Sequence, residues 1–405
     1  MPNPGDGFCR LADSHKPGLN DKRRRFRVCS GWTEGLLLVG KIDLAYNTVE
    51  RDDFLSMIDV ERYGKRSHRF DEIIARTDEH FWNPDDDDYI RFDDSWRGEE
   101  SIFPLNMVPE MHSAVGDKLD ERQKIQFANE SARWTLSQIL HGEQGAFNLS
   151  VSLCELLIDP GAQEYASNQA REEARHVHAF ANYMGARFGG RPLPVGNTLG
   201  SLLDDIVKSP LVYKKLVGMQ MLVEGLAMGA FATLHVKAQD PLLRRLCQLV
   251  MTDEAFHHKF GKIWADTTMP GLPEQERHVV EDWALECFNR LLMNLVNSEQ
   301  KQAIYPQFGL DWQWVRSAML EAFTDTDRRR LMKESTNVFR TLIKTLIKAN
   351  IITERTRTNY AAWVDMDELA GEGDRMVGDE IAEQGIAYLK EINAGKKRIV
   401  KKQVS

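Results

Sequence analysis

Six side chains in the middle of the chain have types and spacing suited to metal chemistry. In REEARHVHAF, residues 171–180, Glu173 and His176 lie three apart, so on a helix they share one face. The same pair returns in TDEAFHHKFG as Glu254 and His257. Each pair follows a further glutamate by thirty residues: Glu143 in LHGEQGAF precedes Glu173, and Glu224 in MLVEGLAMGAF precedes Glu254. A single offset of 81 carries 143, 173 and 176 onto 224, 254 and 257. One Glu-x-x-His pair is a weak signal; the repeat with its upstream glutamates is a specific one. Four carboxylates and two neutral imidazoles offer mixed oxygen and nitrogen ligation for two divalent ions, a donor set that suits iron or manganese. The plainer alternative, glutamates on a solvated face, conflicts with their apolar and small neighbours. Buried without metal, four glutamates would repel one another and cost heavily in desolvation.

These residues need elements that bring them to one height. Thirty residues make two helical arms of about 20 Å and a turn. An antiparallel hairpin therefore sets Glu143 beside Glu173, and Glu224 beside Glu254. Helix-compatible runs cover 118–158, ending at DPG, and 162–188, ending at GGRPLPVG. A short helix follows, then runs over 210–238 and from Pro241, a favoured first-turn residue, to 267. Further runs cover 273–302, 310–322, 325–350 and a segment near the C-terminus, and no proline interrupts them. The expectation is an all-α protein: an N-terminal extension of mixed helix and loop over 1–117, a metal-binding core over 118–268, and C-terminal helices with a basic tail over 269–405. Within the extension, GLLLVGKIDLAY reads as a strand or a buried helix, and NPDDDDYIRFDDSW as a loop. Asp85–Asp88 lack the spacing and glycine of a calcium loop and read as solvated acid.

Composition bounds the rest. Of 405 residues, 42% are hydrophobic and 28% charged, proportions of a globule with a real core. The net charge of -9 argues against a nucleic-acid partner. Two basic clusters, Lys22–Arg25 with Arg27 and the tail GKKRIVKKQVS, read as solvated ends. No run of some twenty apolar residues suggests a membrane span, and MPNPGDGFCR lacks the apolar centre of a signal peptide. Cys9, Cys29, Cys154, Cys247 and Cys287 form no CxxC, which fits a reducing cytoplasm and excludes a zinc ribbon.

The six-residue pattern resembles the ferritin-like di-iron carboxylate superfamily, in which two helices each give a glutamate and two others each give Glu-x-x-His. That superfamily includes ribonucleotide reductase small subunits, multicomponent monooxygenases, acyl-carrier-protein desaturases, CoA-ester epoxidases and arylamine N-oxygenases. The resemblance covers about residues 118–268. It implies a four-helix bundle with extra N- and C-terminal helices, and a dinuclear site held by Glu143, Glu173, His176, Glu224, Glu254 and His257. It also implies that Glu173 and Glu254 bridge two iron ions, or manganese and iron. Departures narrow the branch. Radical-generating subunits commonly carry tyrosine four residues after the first ligand histidine, where this chain has Phe180, and aspartate where it has Glu143. Arylamine N-oxygenases add a histidine where this chain has Val250. Ferritins are much shorter.

By the same resemblance, the residues before each pair, Glu172 and Asp253, accept hydrogen bonds from the opposite ligand histidines. Asp253 to His176 is the easier reach and Glu172 to His257 the longer one. His258, one residue beyond His257, lies near the same face, and the repeat selects His257. His178 points away from the face. Small residues crowd the isolated glutamates: Gly142, Gly145 and Ala146, then Gly225, Ala227, Gly229 and Ala230. Glycine costs a helix roughly 1 kcal/mol against alanine, so the cluster serves close packing or a cavity. Ala146, Phe147, Phe180, Ala227, Met228 and Phe231 are candidates for lining a substrate pocket.

The expected activity is that of a di-iron oxygenase. It would use O2 to hydroxylate, epoxidise or N-oxygenate a small organic or carrier-bound substrate. No G-x-G-x-x-G follows a strand, so electrons would come from a separate reductase or ferredoxin. The alternatives are an acyl-carrier-linked desaturase and a non-catalytic or radical-storing metal subunit. A homodimer is compatible with either.

Overall fold

Two helical hairpins carry the repeat, and their turns are built alike. In the computed structural model, which describes residues 42–403 apart from 44, 94, 95, 97, 98, 325–337, 374, 376 and 377, the four helices concerned are α1 (Glu121–Leu156), α2 (Pro160–Phe188), α3 (Val212–Lys237) and α4 (Pro241–Thr268). Asp120 starts α1 with a reciprocal capping pair to Gln123. Asp159 and Asp240 each accept a backbone N–H in the first turn of the helix that follows, and Pro160 and Pro241 occupy its first position. Gly189, at φ 62°, ends α2 in the left-handed region that favours glycine. Glu143 lies thirteen residues before Leu156, and Glu173 thirteen after Pro160. Glu224 lies thirteen before Lys237, and Glu254 thirteen after Pro241. Each pair is therefore level across its hairpin, about 20 Å from the turn.

α3 is not α-helical throughout. Leu216–Val223 form a π-helix that hands over to α geometry at Glu224, and all eight of its residues are buried. α4 approaches this segment closely: a Cβ on Gly261 would lie 2.9 Å from Gln220 Cβ. By length and composition α3 could cross a membrane, but 78% of its most apolar window is buried inside the protein.

α1 packs along α2, α3 along α4, and α2 against α4. Their apolar residues fall into two clusters. One holds Leu149 and Leu153 of α1, Tyr165 of α2, Leu222 of α3 and Phe260 of α4. The other holds Leu136 of α1, Phe180 of α2, Phe231 of α3 and Val250 of α4. On all four helices the six Glu and His residues fall between the two clusters, forming a polar layer between apolar slabs.

The expected helix ends hold to within a few residues, with one clear exception. The run over 273–302 stops as α-helix at Val296, and Ser298–Lys301 continue as a 3-10 turn under an Asn297 cap. Later helices span Trp312–Ala322, Val338–Lys348 and Asp379–Gln403. Of the run expected over 325–350, residues 325–337 lie outside the described residues, as do Cys9, Cys29 and the Lys22–Arg27 cluster. In GLLLVGKIDLAY, Ile42–Asp43 pair as a short antiparallel strand with Thr48–Val49. The acidic loop and the basic tail are not merely solvated: Lys396 of the last helix pairs with both Asp86 and Asp88. Trp82, His80 and the helix Asp71–Glu79 pack onto the core helices from the N-terminal side.

Candidate metal centre

The structure brings all six repeat residues together. Glu173, His176, Glu254 and His257 are wholly buried, and Glu143 and Glu224 are at most 5% exposed. They form two overlapping groups: Glu143, Glu173, His176 and Glu254, and Glu173, Glu224, Glu254 and His257. Within each group the potential ligand atoms all lie within 4.8 Å of one another. Glu173 and Glu254 belong to both. His176 Nδ1 stands 3.2 Å from Glu143 Oε2 and 3.1 Å from Glu254 Oε1. His257 Nδ1 stands 2.9 Å from Glu173 Oε1 and 3.2 Å from Glu254 Oε2.

The outer nitrogens of both rings are held by carboxylates. His176 Nε2 lies 2.9 Å from Asp253 Oδ2, and His257 Nε2 lies 2.9 Å from Glu172 Oε2. The two reaches are equal, where the sequence suggested that Glu172 had the harder one; its extra methylene spans the gap. A carboxylate only accepts, so with the rings neutral each Nε2 donates and each Nδ1 turns its lone pair to the centre of the layer.

His258 faces elsewhere. Its Nε2 is 3.1 Å from Thr345 Oγ1, and burial pushes its pKa down to about 4. His178 is at the surface, 2.7 Å from Asp85.

Electrostatics show what the layer demands. Burial pushes Glu143 up to about 8 and Glu224 well above the carboxylate range, and neighbouring Glu254 and Glu173 add to both shifts. Glu173 and Glu254 go down instead: burial alone would raise them, but the two histidines outweigh it. For His176 and His257 burial favours the neutral ring, yet the surrounding carboxylates hold both pKa values well above the ordinary one. An oxygen of Glu224 remains buried without any hydrogen bond, and Glu173 Oε2 and Glu254 Oε1 have only the His176 ring near them, at 3.3 and 3.1 Å. Such orphaned acceptors are expensive inside a protein unless something cationic meets them. Two divalent cations would do so, and four carboxylates would balance their charge. The donor set therefore fits a pair of metal ions.

Sequence reasoning missed several residues around the layer. Asp253 also accepts from Trp82 Nε1 at 2.9 Å and from an Arg175 Nη at 2.7 Å, with His80 Nε2 3.1 Å away. Gln169 and Gln220 exchange amide hydrogen bonds, and Gln169 also donates to Glu173 at 3.2 Å. A glutamine inside LVGMQMLV was the one available signal, because it is polar within an otherwise apolar run.

A cavity of about 140 Å³ reaches the layer beside Glu143 and Glu224. Ala146, Ala227 and Phe231 line it, together with Gly142 and Ala230. Phe147, Phe180 and Met228 do not. Phe147 and Met228 sit one residue round the helix from Ala146 and Ala227, a rotation of about 100° that turns them away. Phe180 stacks behind Phe231, with ring centres 5.7 Å apart. The small residues divide between the two reasons offered for them. A Cβ on Gly142 would meet nothing within 4 Å, so its absence leaves open space, whereas one on Gly145 would press on Leu203 at 2.8 Å.

No protein-family model, curated protein or solved structure matches this chain. The buried Glu/His layer in an all-helical fold is therefore the whole basis for reading its chemistry.

Proposed function

We propose that this protein is a ferritin-like di-iron oxygenase, with a manganese–iron pair as the alternative filling. It would use O2 to oxidise a small organic substrate, with electrons from a separate reductase or ferredoxin. The observation that carries the reading is the sharing of Glu173 and Glu254 by two ligand groups. That is the arrangement two adjacent metals require, and it lies beside an apolar cavity reaching the unshared glutamates.

Glu143 and His176 would hold one ion, Glu224 and His257 the other, and Glu173 and Glu254 both. The chemistry such a pair supplies is redox activation of dioxygen. This chain's own residues do the rest. Asp253 and Glu172 keep the protons of His176 and His257 on Nε2, so that Nδ1 stays available as a donor. Gln169 donates to Glu173 and fixes its carboxylate. The apolar slabs on either side of the layer exclude water. Phe180, buried against Phe231, leaves no phenol where a radical-storing subunit would carry one, which favours the oxygenase over that alternative.

Elemental analysis after anaerobic loading with iron should find about two ions per chain, as the paired ligand groups require. Glu173→Ala should lose at least one of them. Oxygen uptake with an added reductant should require the metals. A metal content near zero after loading would remove the reading.

A further inference from the structure

Resting on the oxygenase reading, we infer that the substrate is a small uncharged molecule, mostly hydrocarbon and about as large as a monocyclic arene, and that it enters the cavity beside Glu143 and Glu224. Size is the first argument. The cavity measures about 140 Å³. An engineered protein cavity of about 150 Å³ holds one benzene molecule. A long acyl chain exceeds that volume.

Charge is the second argument. Among the described residues, no lysine, arginine or histidine lines the cavity. Its only ionisable walls are the two glutamates. Along the walls away from the two glutamates, a carboxylate or phosphate would be desolvated with no cationic side chain to meet it.

Polar anchoring is the third argument. The Gln138 amide is already committed, donating to Pro194 O at 3.1 Å and accepting from Gly196 N at 2.7 Å. Asn294 lines the cavity, and its Oδ1 is buried without a donor. Thr135 lies eight residues before Glu143, about 12 Å along α1. The hydrocarbon part therefore faces the glutamates, and a single hydroxyl or amine can be accepted towards Thr135 and Asn294.

The test needs no turnover. Toluene and benzoate share a ring and differ in charge, so their binding to the full chain can be compared by calorimetry, with metal content measured on the same sample. Toluene should bind roughly tenfold tighter or more than benzoate, the scale on which an apolar pocket discriminates. Ala227→Leu, which fills the cavity, should weaken toluene by about the same factor while circular dichroism stays unchanged. Benzoate binding as well as toluene would overturn the inference, and the unmodified protein suffices for that comparison. So would toluene binding untouched by Ala227→Leu. Two metals with no toluene binding sink the substrate class and leave the oxygenase reading standing. Toluene binding to a chain that takes up no metal sinks the oxygenase reading instead, and the assignment as substrate with it.

Discussion

Replacing Asp253 separates two jobs that the structure gives to one carboxylate. Asp253 is wholly buried. It accepts from Trp82 at 2.9 Å, from Arg175 at 2.7 Å and from His176 at 2.9 Å. The first job is structural. Asp253→Ala leaves the Arg175 guanidinium, 9% exposed, without its partner. Breaking a buried pair from one side costs about 3–5 kcal/mol. The orphaned Trp82 N–H would add about 1–3 kcal/mol taken alone. These terms share one site and do not simply add, so the expected loss is about 4–5 kcal/mol, a large part of a typical folding free energy. The second job is to orient His176, and losing such a partner lowers metal affinity by about 10–100-fold. Asp253→Asn preserves the volume and an acceptor oxygen. It should recover part of the stability but little of the affinity, because a neutral amide makes a weaker acceptor for the His176 N–H. The sign with pH follows from the shift. Burial would raise Asp253, but Arg175 and the hydrogen bonds from His176 and His80 outweigh it and hold it well below the usual range. Its contribution is therefore complete above the ordinary aspartate value of about 4 and is lost as pH falls through the lower folded value. Urea denaturation of the metal-free protein measures the first job, and competition with a chelator measures the second. Metal-free Asp253→Ala as stable as the parent at neutral pH would refute the buried network. Unchanged metal affinity would refute the orienting role.

Three further outcomes are expected. His257→Ala should lower metal occupancy, and His258→Ala should keep both ions because its ring is engaged with Thr345; elemental analysis with the result reversed would show the 81-residue register to be wrong by one at its last member. Exposing the reduced, iron-loaded protein to oxygen should leave no stable tyrosyl signal by electron paramagnetic resonance, since Phe180 stands where the radical-generating subunits that the pattern resembles carry tyrosine, and a persistent signal would restore the radical-storing alternative. Lys215 is buried, donates to Ser152 Oγ and Val207 O, and is pushed down to about 8 by burial, so folding stability should rise between about pH 8 and its ordinary value of 10.5, where the unfolded chain still holds the proton. Urea midpoints for the parent and Lys215→Met across that interval check this, and equal slopes would count against it.

The six repeat residues were legible because both hairpins obey the same geometry. Helical rise and a three-residue turn convert a thirty-residue separation into one height, and Asp-Pro at 159–160 and 240–241 marks each turn. The polar residues around them were legible only in part: Asp253 and Glu172 stand one before each Glu-x-x-His pair, but the partners of Asp253 carried no such mark. Trp82 and His80 come from an irregular stretch with no periodicity to place it, and only the tertiary fold brings them to Asp253. The π-helix over Leu216–Val223 was hidden for a related reason. Its residues are all apolar except Gly218 and Gln220, so burial on every side leaves no amphipathic stripe from which to read a period. The cavity was half legible. The small residues beside Glu143 and Glu224 marked its place, but the choice among Ala146, Phe147, Ala227 and Met228 turns on one residue's rotation about each helix.

What makes so polar a layer tolerable is the pairing of its charges. Taken singly, each glutamate between the two apolar slabs is a costly burial. Taken together, they divide. Glu143 and Glu224, each in a single ligand group, are pushed towards the protonated form, while Glu173 and Glu254, each in both groups, stay ionised against His176 and His257. Without cations the layer therefore favours protons on Glu143 and Glu224. Metal ligands must give up their protons to bind, so an ion entering the layer would compete with protons at Glu143 and Glu224. The asymmetry has a geometric source. Glu173 and Glu254 each stand within 3.3 Å of both ring Nδ1 atoms, whereas only His176 comes as near to Glu143. Glu143 and Glu224 come from the facing helices, where the nearest residues are small and the cavity opens.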